Sequence, residues 1–188
     1  MRSMRVVFSV CMTLLIALGA VMVTPASAES QQTNRPSDTI RLTPFDAVAE
    51  CFPYAEVNIR LIENNRGIDR LFLQASNLPP RTEFTLFLTE TPGLPFGAAQ
   101  YLSSFTTNRA GWAQARVTTE VRDAFASTIV GEERVRVELD NIVIWFADPA
   151  DDDGCLGAGE GPITPFDIDG EAGIGIVQSV EPENPLAR

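Results

Sequence analysis

The sequence predicts an all-β fold, an antiparallel β-sandwich with one short helix near residues 119–130; a closed barrel is the alternative. Three observations lead there. Seven or eight short segments alternate apolar and polar residues with the period of a half-buried strand. Turn-forming residues separate them, as in Asn64-Asn65-Arg66-Gly67 and Asn108-Arg109-Ala110-Gly111. Only one stretch carries helical spacing. Many short strands with few helices favour two packed antiparallel sheets.

Residues 1–28 read as a signal peptide. Arg2 and Arg5 make a basic start, Val6 to Val23 is apolar, and Ala26-Ser27-Ala28 is a small-residue cleavage site after Pro25. The apolar run is just long enough to span a bilayer, but the Pro25 break and the cleavage site favour removal over anchoring. Cys11 lies inside the run, which is the wrong place for a lipidated cysteine. Residues 29–39 read as a flexible leader, residues 40–180 as a single domain and residues 181–188 as a flexible tail.

Within the domain, Ala55 to Ile62 places Val57, Ile59 and Leu61 on one face and Asn58, Arg60 and Ile62 on the other. Ile68 to Ala75 presents Leu71, Leu73 and Ala75, and the two segments form a hairpin. Thr82 to Thr89 sets Phe84, Leu86 and Leu88 against Thr85, Phe87 and Thr89. A loop rich in proline and glycine follows, from Glu90 to Ala99. Tyr101 to Thr107 and Trp112 to Thr118 flank the second hairpin turn. In Thr119 to Val130, the residues Val121, Ala124, Phe125, Thr128 and Ile129 have helical spacing, with Gly131 as a stop; a buried strand is the alternative there. Arg134 to Leu139 should turn Val135, Val137 and Leu139 inward. Ile142 to Phe146 is continuously apolar and belongs deep in the core, and Ile174 to Val180 is a last strand.

Residues 78–88 read Leu-Pro-Pro-Arg-Thr-Glu-Phe-Thr-Leu-Phe-Leu. This resembles the leucine, proline, threonine, aromatic approach to a strand in fibronectin type III-like and immunoglobulin-like sandwiches. There the aromatic is usually a tyrosine whose hydroxyl bonds back to the corner; Phe84 cannot make that bond. Phe105 to Ala113 is similar to a hairpin of exported bacterial sandwich domains. The resemblance implies the fold, and a binding or scaffold role only by analogy.

The chain has 14 basic and 25 acidic residues and a net charge of −11; all the bases are arginine, and there is neither histidine nor lysine. Loss of the signal would remove two arginines and move the net charge to −13. Such a charge repels nucleic acid and anionic lipid, so neither is expected as a partner, and no second apolar stretch could span a membrane. Without histidine there is no Ser-His-Asp or Cys-His catalysis and no imidazole metal ligand; without lysine there is no Schiff-base chemistry. The glycines at 154, 157, 159 and 161 lack the lysine of a phosphate loop. A carboxylate pair, as in a small glycan hydrolase, stays open, but nothing in the sequence selects one.

Two cysteines remain after the signal, Cys51 and Cys155, and an even count in an exported chain predicts a disulfide. The best candidate for ion chemistry is the acidic loop with Asp148, Asp151, Asp153 and Glu160, where clustered oxygens on a loop suit calcium. Pro149 at the first ligand position and a preceding strand exclude an EF-hand. Asp167 and Asp169 could add ligands. Otherwise the loop is a solvated turn and the protein needs no cofactor. Thr-Pro-Phe-Asp occurs at 43–46 and again at 164–167 without matching flanks, so no repeat is inferred. Trp112 and Trp145 are read as core residues and not as a ligand surface. Leu94 and Phe96, in the Pro-Gly loop, are the expected anchors for recognition. The expected function is a secreted, non-catalytic protein that binds or scaffolds at the cell surface or in extracellular matrix, with a protein or glycan partner. The alternatives are a calcium-stabilised adhesion or carbohydrate-binding module and a small carboxylate-dependent hydrolase.

Overall fold

Ten antiparallel strands account for half of residues 38–63, 67–163, 172–179 and 186, the residues described in this computed structural model. In chain order they are β1 (Asp38–Pro44), β2 (Glu56–Ile62), β3 (Asp69–Ser76), β4 (Glu83–Thr89), β5 (Ala99–Thr106), β6 (Ala113–Thr119), β7 (Phe125–Val130), β8 (Glu133–Glu138), β9 (Asn141–Phe146) and β10 (Gly175–Gln178). The signal segment, most of the leader and tail, the 64–66 turn, Asp167, Asp169 and the second Thr-Pro-Phe-Asp lie outside the described residues.

The all-β class is as the sequence predicts. One sheet runs β1-β2-β3-β6 and the other β5-β4-β9-β10-β1. They share β1: Asp38 to Leu42 pairs with β2, and Thr43 and Pro44 pair with β10. The ladder is therefore continuous from β5 round to β6. The loop over residues 107–112 joins those two strands, but among the described residues no pairing between them closes the ladder. The arrangement stands between an open sandwich and a closed barrel.

The inner faces meet in one apolar core. Val57, Ile59 and Leu61 of β2 and Leu71, Leu73 and Ala75 of β3 point inward, as their alternation requires. Phe84, Leu86 and Leu88 of β4 and Ile142, Ile144 and Phe146 of β9 face them. Phe84 packs 5.6 Å from Phe105 and 5.1 Å from Phe146, ring centre to ring centre. β1 is not among the expected strands and begins inside the expected leader. Its Ile40 and Leu42 are fully buried. Leu186, in the expected tail, is buried in the same core.

The helix expected near 119–130 does not form. Residues 120–124 make a turn, and Phe125 to Val130 form β7, paired with β8 in a separate two-stranded ribbon. Asp69 holds the turn: its buried carboxylate accepts the backbone N–H groups of Val121 (3.1 Å) and Arg122 (3.0 Å). Those bonds anchor the turn, and the β-branched run Thr128-Ile129-Val130 favours the strand that pairs with β8. The residues with helical spacing also divide. Val121 and Ala124 are buried, while Phe125 and Ile129 are 48% and 64% exposed. β7 is thus not a buried strand either. Val135 and Val137 of β8 are only half-buried, and of the three residues expected to turn inward only Leu139 is fully buried. The short helices lie elsewhere: α1 (Asp46–Ala49), a 3-10 turn (Pro149–Asp152) and α2 (Asp153–Leu156).

The corner before β4 is tied without a tyrosine. Thr107 donates its hydroxyl to the Pro79 carbonyl (2.5 Å) and accepts the Thr82 backbone N–H (3.1 Å). Across it, the Asn108 carboxamide oxygen accepts from the N–H of Ala110 and of Trp112. Gly111 closes that turn at φ +69°, and a Cβ there would sit 2.1 Å from the Leu78 carbonyl oxygen. Cys51 and Cys155 form the predicted disulfide, with Cα atoms 5.7 Å apart and 104 positions between them in sequence.

Two stability outcomes follow. Replacing both cysteines by alanine removes a cross-link over a loop of this size and should cost about 4 kcal/mol, read by chemical denaturation. Gly111→Ala should cost about 2–4 kcal/mol, because it combines positive φ with a backbone clash. Gly131→Ala is the control. Gly131 also has φ +66°, but nothing lies within 4 Å of its Cβ position. It should cost only about 1 kcal/mol. Equal losses at the two glycines would show that the Leu78 contact does not constrain the turn.

Candidate functional site

Each sheet has an outer face, and the two differ. On the second sheet, Phe87, Val143 and Trp145 point outward and are nonetheless buried. The Pro-Gly loop folds back over them. Phe96 sits 4.9 Å from Trp145 and 6.0 Å from Phe45, ring centre to ring centre, and Phe87 lies 4.3 Å from Trp145. Glu90 accepts the Ala98 N–H, and Thr91 donates to the Pro95 carbonyl, so side chains brace the loop from within. Trp145 is a core residue as expected, and its indole N–H has no hydrogen-bond partner. Phe96 is not an exposed recognition anchor; it is 6% exposed and plugs this second core. Leu94 alone stays outside, 69% exposed. Trp112, expected in the core, is 43% exposed beside the start of β6.

Among the described residues, nothing covers the outer face of the β1-β2-β3-β6 sheet in this way. Strand register arranges it in cross-strand rows. Thr39, Arg60, Phe72 and Arg116 are successive partners in one row, and Arg41, Asn58, Gln74 and Gln114 in the next. Arg70 stands one further row along, between Ile62 and Thr118. The guanidinium carbons of Arg60 and Arg116 lie 5.0 Å and 4.7 Å from the centre of the Phe72 ring, so one aromatic positions two cations. A depression of about 740 Å³ lies over these rows, and no carboxylate lines it. Four of the 14 basic residues of an acidic chain therefore share one sheet face. None of these four arginines makes an ion pair with a described residue. Glu56, at the far end of β2, is occupied by the Asn58 amide at 3.1 Å.

This face went unrecognised in the sequence, although the outward positions of β2 are polar there. Arg60, Phe72 and Arg116 are far apart in the chain, and only register makes them neighbours. The available signal was the recurrence of arginine at alternate positions of strands in a chain with no lysine.

The described part of the acidic loop is built from turns and their caps. Asp148 caps the 3-10 turn by accepting the Ala150 N–H at 2.8 Å, and Asp153 accepts the Gly159 N–H at 2.8 Å. Asp151 and Glu160 are exposed. Among the described residues, no three acidic or cysteine side chains converge as a metal site would require. The residue that reaches inward is Asp152, which the sequence reading passed over. It is fully buried, packs against the backbone of Gly161 and Gly173, and accepts the Ile174 N–H at 2.9 Å through one oxygen. Its other oxygen has no hydrogen-bond partner among the described residues. Burial raises the Asp152 carboxyl above its ordinary pKa, opposed by the Ile174 bond and reinforced by Asp153. Partial burial and then the charges of Asp148, Asp152 and Glu83 raise Asp151.

No protein-family model matches the chain, and no curated protein matches its sequence. Among the described residues no helix is long and apolar enough to cross a membrane.

The raised Asp152 carboxyl sets a pH dependence. Because the folded state holds this proton more tightly than the unfolded chain, the ionised group opposes folding at neutral pH. That penalty is relieved as pH falls through the raised value toward the ordinary one of 3.8. Asp152→Asn should keep the bond to Ile174 and remove the charge. Its melting temperature should exceed that of the wild type at neutral pH, and the gap should close as pH falls into the carboxylate range. A variant that is less stable at neutral pH would show that the ionised carboxylate contributes favourably.

Proposed function

We propose that this chain is an exported, non-catalytic domain that binds or scaffolds at the cell surface or in extracellular matrix. We further propose that the uncovered face of the β1-β2-β3-β6 sheet is its binding surface. The observation that carries this reading is the Arg60–Phe72–Arg116 row: two cations stacked on one ring, without carboxylate partners among the described residues, in a protein of net charge −11. Like charges placed side by side repel, and a bound anion relieves that repulsion. β2 and β3 are paired on both sides and β6 on one, so the sheet holds the row and recognition requires little ordering. The disulfide fits an oxidising compartment, and the apolar amino-terminal run with its Ala-Ser-Ala site supplies a route there. A chain without histidine or lysine lacks the usual nucleophile activators, and the depression has no carboxylate pair for hydrolysis.

Purified exported protein, labelled and added to cells of its own source, should be retained on the envelope or matrix and released by salt. Arg60→Ala with Arg116→Ala should leave most of it in the medium. Both side chains are exposed, so the pair should melt within a few degrees of the wild type. Equal retention of wild type and variant would remove the sheet face from the reading. Recovery of the wild type entirely free in the medium would overturn the surface role.

A further inference from the structure

Taking the sheet face as the binding surface, we infer that its ligand is an acidic polysaccharide, a polymer of sugars that carry both carboxylates and hydroxyls. This rests on the reading above and adds the chemistry of the ligand.

The face offers two kinds of partner in adjoining rows. The first row holds Arg60 and Arg116, whose planar forks each pair with a carboxylate through two hydrogen bonds. The neighbouring row holds the carboxamides of Asn58, Gln74 and Gln114 in successive register. A carboxamide both donates and accepts, which suits a hydroxyl and gains nothing special from a bare anion. Rows two residues apart are separated by about 7 Å along the strands. A ligand that satisfies both rows therefore carries an anionic group and several hydroxyls within one short repeat, which a uronate ring does.

Other anionic polymers fit less well. β2 and β3 are hydrogen-bonded on both sides, so no backbone groups are open there to receive a peptide strand. An acidic peptide could then use the arginines but would leave the amide row without hydroxyl partners. Nucleic acid presents phosphates with few free hydroxyls beside them, so the amide row finds fewer partners there. Phe72 is not a free stacking platform for a sugar or a base. It is half-buried, and its ring is engaged by the two guanidinium groups.

The experiment is titration calorimetry of the exported protein at low ionic strength with oligogalacturonate, and with neutral dextran and poly-L-glutamate as comparison ligands. Oligogalacturonate should bind most tightly and should weaken as salt is added. Arg60→Ala with Arg116→Ala should weaken it at least about tenfold, while Arg134→Ala on the β7–β8 ribbon should leave it unchanged. Gln74→Ala with Gln114→Ala should weaken oligogalacturonate but not poly-L-glutamate, which separates hydroxyl recognition from charge alone. If poly-L-glutamate binds as tightly as the uronate and the arginine pair abolishes it, the polysaccharide assignment fails and the sheet face survives as a general anion site. If oligogalacturonate binds equally well to the wild type and the arginine pair, or if no polyanion binds, the polysaccharide assignment and the sheet-face site fail together.

Discussion

The six residues of β9, Asn141 to Phe146, are buried on both faces, so each face needs a cover of its own. One face meets the inner core through Ile142, Ile144 and Phe146. The other, with Val143 and Trp145, would expose a wide apolar surface if the sheet ended there. The Pro-Gly loop supplies that cover, with Phe96 as its plug and Phe45 beside it. A loop that would ordinarily be the place for variable recognition is committed to packing. The same β4–β9 pair carries Phe87, which completes the aromatic cluster around Trp145.

With that face covered, the outer face of the β1-β2-β3-β6 sheet is left open among the described residues, and its side chains match the exposure. β2, β3 and β6 are half-buried strands, apolar toward the core and polar outward. Their outward positions carry arginines and amides where shorter polar residues would serve solubility equally well. Antiparallel register then fixes which of them adjoin. Arg60 and Arg116 come from strands far apart in sequence, yet both reach Phe72 because β3 lies between them. The cation–π contacts are individually small, about 0.5–1 kcal/mol at an exposed site. Their consequence is positional: they hold two flexible side chains over the same ring.

The acidic loop shows how local capping can resemble a ligand set. Asp148 and Asp153 spend their oxygens on backbone N–H groups of the turns they begin. Asp152, between them, is drawn inward because Gly161 and Gly173 leave room for a carboxylate beside the backbone. The disulfide at Cys155 fastens this loop to the segment just after α1, so the loop is held where it packs.

Alternation by itself determined most of the strands and the inner core. Ile142 to Phe146 was legible as a buried strand because nothing polar interrupts it, and the disulfide followed from an even cysteine count. Three things were decided only by tertiary structure. Thr119 to Val130 has helical spacing, but a carboxylate 52 residues away captures the Val121 N–H and a partner strand is at hand, so pairing prevails over local pattern. β1 became a strand because it completes two sheets at once, a role that its own short pattern does not announce. The candidate binding face exists only through register, since hydrogen-bonded strands bring Arg60, Phe72 and Arg116 together across more than fifty residues of chain. A sequence records which residues a strand turns outward; only the pairing of strands decides which of those residues become neighbours.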